Sequence, residues 1–385
     1  MNDFVATIDH PGAFIVEELE ARGWTQVDLA YILGKSASQL SPILKGKIGI
    51  SSDMAIAFGD AFDVSPEFFA NLQKQYDLQN AKRPDPGVRT RAFWLSKFPV
   101  REMQDRGWIE SSDADLLDLQ MMRFFDANRI EDIPLVGANC YAHAAKRTGG
   151  DEAIGAQMAW LHRVRKIAEA IEAPPYSRDN LIAALPDIRA HMFDLEDYSS
   201  IPQLLLACGV RTVFVEKLPA GKIDGVCTWL GDDPVIGLSL RLNRPDNLSF
   251  VIRHEIEHIL QGDGMDVGYA ELDTFEPDRD WNDLSAEERR ADEAAAEFLI
   301  PQDKMRSFLS RKGQWISEDD VLAFSARHHI HPSIVVGQIQ HHRFKKTGDD
   351  KEWRFLRRYL TTKMHGYFEN WPLRDGWGQI AAVGL

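Results

Sequence analysis

The sequence predicts a multidomain, mainly α chain, with an all-α N-terminal module, a helical middle region and an α+β C-terminal domain carrying a small antiparallel sheet. Three observations predict it. Thr25-Gln-Val-Asp28 and Ser36-Ala-Ser-Gln39 are two capping boxes that open short helices on either side of Gly34. Val210 to Lys217, Gly225 to Leu230 and Val235 to Leu240 are short β-branched or aromatic runs broken by Pro, Gly and Asp. His254-Glu255-Ile256-Glu257-His258 spells H-E-x-x-H inside a run, Val251 to Leu260, that holds no Gly or Pro and so predicts a helix.

At the N-terminus, Ala30, Gly34, Leu40 and Ile43 have the spacing of a helix-turn-helix. The small Ala lets the helices approach, the Gly takes the turn, and the two aliphatics hold the second helix on the first. That second helix, opened by Ser36 and ending at Leu44, would offer Ser38, Gln39 and Ser41 to base edges in a major groove, with Gln26, Lys35, Lys45 and Lys47 on phosphates. Pro42 removes one backbone hydrogen bond inside it. Acidic residues outnumber basic ones over 1–80, so phosphate affinity rests on the local lysines and should fall steeply with salt. A helical bundle that binds protein is the alternative.

Lys82-Arg-Pro-Asp-Pro-Gly87 combines Pro, Gly and charge as a linker, and Glu172-Ala-Pro-Pro175 marks a second boundary. The expected divisions are a helix-turn-helix domain over 1–81, a helical connecting region over 82–175, a metal domain over 176–345 and an aromatic tail over 346–385. In the connecting region, Leu116, Leu117, Leu119, Gln120, Met121, Met122, Phe124 and Phe125 form an apolar stripe that predicts core. Cys227 has no partner at metal-ligand spacing and is expected to be a small buried hydrophobe.

On a helix, His254 and His258 stand on one face and can reach a single Zn²⁺, with Glu255 beside them as general base for an activated water. Two surface histidines on an ordinary helix are the alternative. A hydrolytic site needs a third protein ligand. Gln261 and Gly264 exclude the long H-E-x-x-H-x-x-G-x-x-H signature. Further on, Ser285-Ala-Glu-Glu288 predicts a helix start, with Ser285 as N-cap and Glu288 closing a capping box, and Ala291 to Leu299 give that helix an apolar face ended by Pro301. On spacing, Glu288 is either a ligand or only a capping residue, and Asp292 either orients an imidazole or is solvated; Glu287, Glu293 and Glu297 compete.

Phe250-Val-Ile-Arg-His-Glu-Ile-Glu-His258 and Glu288-Arg-Arg-Ala-Asp-Glu-Ala-Ala-Ala-Glu-Phe-Leu-Ile-Pro301 resemble the two helices of the ImmA/IrrE family of zinc metallopeptidases, over about Cys208 to Leu309. The resemblance implies a zincin-like domain with His254, His258 and Glu288 as ligands and Glu255 as base. Asp292 stands where the family has Asn, as the residue that orients an imidazole. Arg253 and Glu257 are departures that add charge beside the site. Zn²⁺ is the implied metal, with Mn²⁺ or Fe²⁺ compatible with a His₂Glu donor set.

The segment from about 8 to 80 resembles XRE helix-turn-helix regulators, and HigA-type antitoxins in particular, at His10-Pro-Gly12, Glu17-Glu18-Leu19, Thr25-Gln26, Asp53-Met54-Ala55, Pro66-Glu67-Phe68-Phe69, Asn71-Leu-Gln73 and Tyr76-Asp-Leu78. Together the two resemblances imply a regulator that binds a double-stranded DNA operator, acts as a homodimer and cleaves a repressor or antitoxin in a stress, toxin-antitoxin or prophage circuit. A non-proteolytic sensor or toxin-binding module is the alternative; Glu255 favours hydrolysis, since a sensor needs the ligands but not the base.

With 44 Lys+Arg against 59 Asp+Glu, the formal charge of −15 argues against a non-specific nucleic-acid coat. Three Cys without C-x-x-C spacing, no basic n-region before an apolar run and no stretch of 18 apolar residues set the expectation of a cytoplasmic chain without a membrane partner. His328, His329, His331, His341 and His342 fit no closed metal site and are expected on the surface or in a groove. Tyr269 or one of these histidines is the candidate for stabilising an oxyanion.

Overall fold

A computed structural model describes residues 9–82, 85–110, 113–136, 151–265 and 284–381. The packing divides the chain into two compact units, Met1–Pro86 and Gly87–Leu385.

The first unit holds α1 (Pro11–Arg22), α2 (Gln26–Ile32), α3 (Ala37–Leu44), α4 (Ser52–Phe62) and α5 (Pro66–Asn80). Both expected capping boxes form, and Gly34 takes the turn at φ 61°. His10 caps α1, its Nδ1 accepting from the Gly12 N–H at 2.9 Å. Gly12 is required, because a β-carbon there would lie 2.2 Å from the Ile43 carbonyl oxygen where α1 meets α3. Ile15, Leu29, Leu40, Phe58 and Phe69 are fully buried and form the core. Gln73 ties α5 to the α3–α4 connection, accepting from the Ile50 N–H at 2.8 Å and donating to Asp77 at 2.8 Å.

The second unit begins with α6 (Gly87–Leu95), α7 (Val100–Asp105), α8 (Ala114–Phe124), α9 (Asp151–Glu169), α10 (Arg178–Ala190) and α11 (Ile201–Ala207). Strands β1 (Arg211–Val215), β2 (Gly225–Leu230) and β3 (Asp233–Leu238) follow, then α12 (Pro245–Gln261), α13 (Ala286–Leu299), α14 (Gln302–Lys312), α15 (Glu318–His328), α16 (Pro332–Thr347) and β4 (Arg374–Asp375). The sheet runs β2-β3-β1-β4. It is mixed, which corrects the antiparallel expectation: only β2 and β3 pair antiparallel, while β1 pairs parallel with both β3 and β4. Alternation and turn residues locate strands but do not encode which neighbour a strand takes. Here the hairpin turns at Gly231, φ 63°, and places β3 against β1, with Arg211 opposite Val235.

Val213, Val215, Val226 and Val235 face a core containing Trp160, Val164 and Ile167 of α9. Phe214, Cys227, Trp229, Ile236 and Leu238 face the opposite core, with Val251, Ile252 and Ile256 of α12. Both faces are therefore covered, which is why the strands are continuous apolar runs. Cys227 is a buried strand residue, as expected.

The connecting region and the tail do not pack as separate divisions. Trp94, Trp108 and Trp160 are fully buried in the same core as the sheet valines, because α9 is itself one layer of the sandwich. Of the expected stripe, Leu117, Met121, Phe124 and Phe125 are buried, while Leu116 and Leu119 are exposed. The tail supplies β4, and Asp375 accepts from Arg163 Nε at 2.7 Å and Trp108 Nε1 at 3.2 Å inside the core. Helix α14 follows Pro301, which serves as its N-cap as well as the stop for α13. Among the described residues, no helix is long and apolar enough to cross a membrane.

Candidate metal centre and helix-turn-helix surface

Helix α12 carries His254, Glu255 and His258, all buried, and α13 brings Glu288 against them. The two Nε2 atoms lie 3.0 Å apart. Glu288 Oε2 is 3.6 Å from His254 Nε2, and Oε1 is 3.6 Å from His258 Nε2. Donors about 2.05 Å from a tetrahedral zinc stand about 3.3 Å from one another; one ligand atom from each of the three residues lies within 4.8 Å of the other two here, close enough to share a single ion. Two imidazole lone pairs aimed at one point repel unless a cation or proton lies between them. The donor set therefore fits a metal.

Each imidazole has its own carboxylate behind it. Asp292 Oδ1 is 3.0 Å from His254 Nδ1, and Asp263 Oδ2 is 2.9 Å from His258 Nδ1. An Nδ1–H donated to a carboxylate leaves the Nε2 lone pair for the ion. Asp263 has no place in the sequence expectations. Its available signal is Gly262, whose φ of 73° ends α12 and folds the chain back so that the Asp263 N–H donates to the His258 carbonyl at 3.0 Å.

Glu288 does not close the capping box. The Ser285 hydroxyl accepts from the Glu288 N–H at 3.2 Å, but the carboxylate turns to the histidines. Glu287, Glu293 and Glu297 are exposed and outside the cluster. The Glu287 carboxyl is held below the usual range by its own backbone N–H and then by the Ser285 hydroxyl, as a helix-start residue in solvent. Arg253 and Glu257 cancel one another: Arg253 Nη2 donates to Glu257 Oε2 at 2.8 Å, Gln261 donates to Oε1 at 2.8 Å, and the guanidinium lies 5.4 Å over the Phe298 ring.

Glu255 points at the sheet, where Gly225 opens β2 beside it. Tyr269 lies outside the described residues. His341 is close enough to Asp292 to feel its charge, and it is not one of the three clustered donors. Of the other histidines, His331 caps α16 through Ser333 and His329 takes the left-handed position that ends α15.

In the first unit, Lys35, Ser36, Ser38, Gln39, Lys45 and Lys47 are exposed and Ser41 is half-buried. Helix α3 runs through Pro42 to Leu44. Gln39 Oε1 accepts from the Ser36 N–H at 3.0 Å. Gln26 Nε2 donates to the Ala37 carbonyl at 2.7 Å, bridging α2 and α3.

Residues 15–69 match a helix-turn-helix family model, and residues 209–335 match the IrrE N-terminal-like domain. A virulence-associated protein A' of Dichelobacter nodosus is 41% identical over 70 residues, 18% of this chain and 61% of that protein, so the chain spans about three fifths of that relative. Among solved structures, a Pseudomonas aeruginosa protein in complex with its operator DNA is 39% identical over 18% of this chain and 76% of that one, TM-score 0.18. Pseudomonas aeruginosa antitoxin HigA with its promoter is 34% identical over 20% and 97%, TM-score 0.19. A HigA-family addiction module antidote protein of Coxiella burnetii is 26% identical over 26% and 92%, TM-score 0.18.

Proposed function

Because the chain joins an XRE-type helix-turn-helix domain to an IrrE N-terminal-like domain, we propose that it is a DNA-binding transcriptional regulator carrying a zinc-dependent endopeptidase that cleaves a repressor or antitoxin. The convergence of His254, His258 and Glu288 beside a buried Glu255 carries this reading. Zinc held there supplies Lewis-acid polarisation of a carbonyl and lowers the pKa of water to about 7.

This chain's residues do the rest. His254 and His258 present Nε2, and Glu288 presents its two oxygens from the facing helix. Glu255 accepts a proton from the attacking water at a carboxylate oxygen and passes it to the departing amine nitrogen as the peptide bond breaks. Its burial excludes bulk water from that proton. Asp292 keeps His254 oriented. In the first unit, Ser38, Gln39 and Ser41 meet base edges of an operator, while Lys35, Lys45 and Lys47 meet phosphates, and a homodimer places two such helices on two half-sites.

Metal content of the purified chain beside Glu288→Ala and Glu287→Ala tests the reading. We expect one equivalent of zinc, lost with Glu288→Ala and kept with Glu287→Ala. A metal-free chain, or loss that ignores Glu288, overturns it. With the site established, Glu255→Gln serves to trap the protein substrate.

A further inference from the structure

Asp263 is held by three elements. Its carboxylate faces His258 Nδ1 at 2.9 Å and accepts from Arg290 of α13. Its carbonyl accepts from the Trp229 indole of β2 at 2.8 Å, and its N–H caps α12 on the His258 carbonyl at 3.0 Å. One residue thus joins the strand beside the site, the helix with both histidines and the helix with Glu288.

We propose that Asp263 is a positioning residue for the metal centre: it fixes the tautomer and ring orientation of His258, as Asp292 does for His254, and Arg290 fixes Asp263. The physical need is specific. His258 stands in the last turn of α12, where helix ends fray, so backbone geometry alone does not fix its ring. A carboxylate on Nδ1 aims Nε2 and raises its basicity toward a cation. Arg290 stands two residues after Glu288, so the contact that orients His258 also registers α13, and with it the third ligand, against α12. This inference rests on the metal reading above.

The test uses the full chain. Zinc affinity is measured by chelator competition, and the visible spectrum is recorded after Co²⁺ substitution, for Asp263→Ala, Asp263→Asn and Arg290→Gln. Thermal unfolding of the metal-free forms controls for the fold. We expect Asp263→Ala to weaken zinc by about 10–100-fold with an altered Co²⁺ spectrum. Asp263→Asn, which keeps an acceptor, should recover part of the affinity, and Arg290→Gln should shift the spectrum in the same sense. Affinity within about twofold of wild type and an unchanged spectrum in Asp263→Ala overturn the proposal while leaving the metal reading intact. Should Asp263→Ala fail to fold, Asp263→Asn and Arg290→Gln decide by the same criteria. Zinc retained by His258→Ala removes the metal reading itself, and this inference with it.

Discussion

Gly225 and Glu255 are in such close approach that a β-carbon on Gly225 would lie 2.4 Å from Glu255 Oε1 and 2.5 Å from Val251 Cγ1. The first residue of β2 is thus without a side chain where the carboxylate needs the space. Gly225→Ala should push Glu255 off its position while leaving both histidines and Glu288 in place. We expect zinc content to stay at one equivalent, stability to fall by about 1–3 kcal/mol from overpacking, and cleavage to fall by about 100-fold. Metal analysis, urea unfolding and a cleavage assay on the same preparation separate the three effects.

The buried pair of Arg163 and Asp375, with side chains 3% and 1% exposed, should be costly to break from one side. Asp375→Ala leaves a buried guanidinium without its carboxylate and should cost about 3–5 kcal/mol. Replacing both, as Arg163→Met with Asp375→Leu, should recover much of the loss. A double variant no more stable than the single one would show that the charges are not the cause.

On DNA, Lys35→Ala, Lys45→Ala and Lys47→Ala should weaken binding uniformly across sequences, each lowering the slope of log K against log salt by about 0.9. Gln39→Ala should relax sequence preference and leave that slope alone. An unchanged slope in all three lysine variants would remove these residues from the phosphate contacts.

Burial pushes the His162 imidazole down to about 4, against the pull of Asp126, which lies 3.6 Å away. The unfolded chain therefore binds this proton at higher pH than the folded one. Its contribution to stability is present above about 6.5 and is lost as pH falls toward 4. The slope for one such group approaches about 1.4 kcal/mol per pH unit inside that window. His162→Phe, between Phe124 and Phe125, should flatten the urea midpoint between pH 6.5 and 4.5 relative to wild type. Parallel curves for the two proteins would refute it.

What the sequence made legible was local. The capping boxes at Thr25 and Ser36, the Gly34 turn and the H-E-x-x-H face lie within a few residues of the elements they define, so spacing alone marks them. Glu288 shows the limit of that: its position after Ser285 fits a capping box, yet its carboxylate serves histidines on another helix, and only the packing of α12 on α13 decides between the two. Asp263 and Gly225 were invisible for the same reason, since their roles depend on which strand lies beside the helix. Trp94 and Trp108, in the connecting region, are fully buried in the core that α9 forms with the sheet, a placement that depends on packing and not on local spacing. Sheet order was beyond reach too, because a valine run fits a parallel or an antiparallel neighbour alike.

The strand that completes the sheet has a consequence in time. Arg163 and Asp375 stand 212 positions apart, and β1 has no neighbour on its β4 side until Arg374 and Asp375 are made. During synthesis, at about 5–20 residues per second, the N-terminal unit has all its helices within Met1–Pro86 and can close while the ribosome is still working on α6 onward. The second unit must wait for its tail. A chain stopped short of Arg374 would thus hold a finished helix-turn-helix unit and a second unit whose sheet still lacks its last strand.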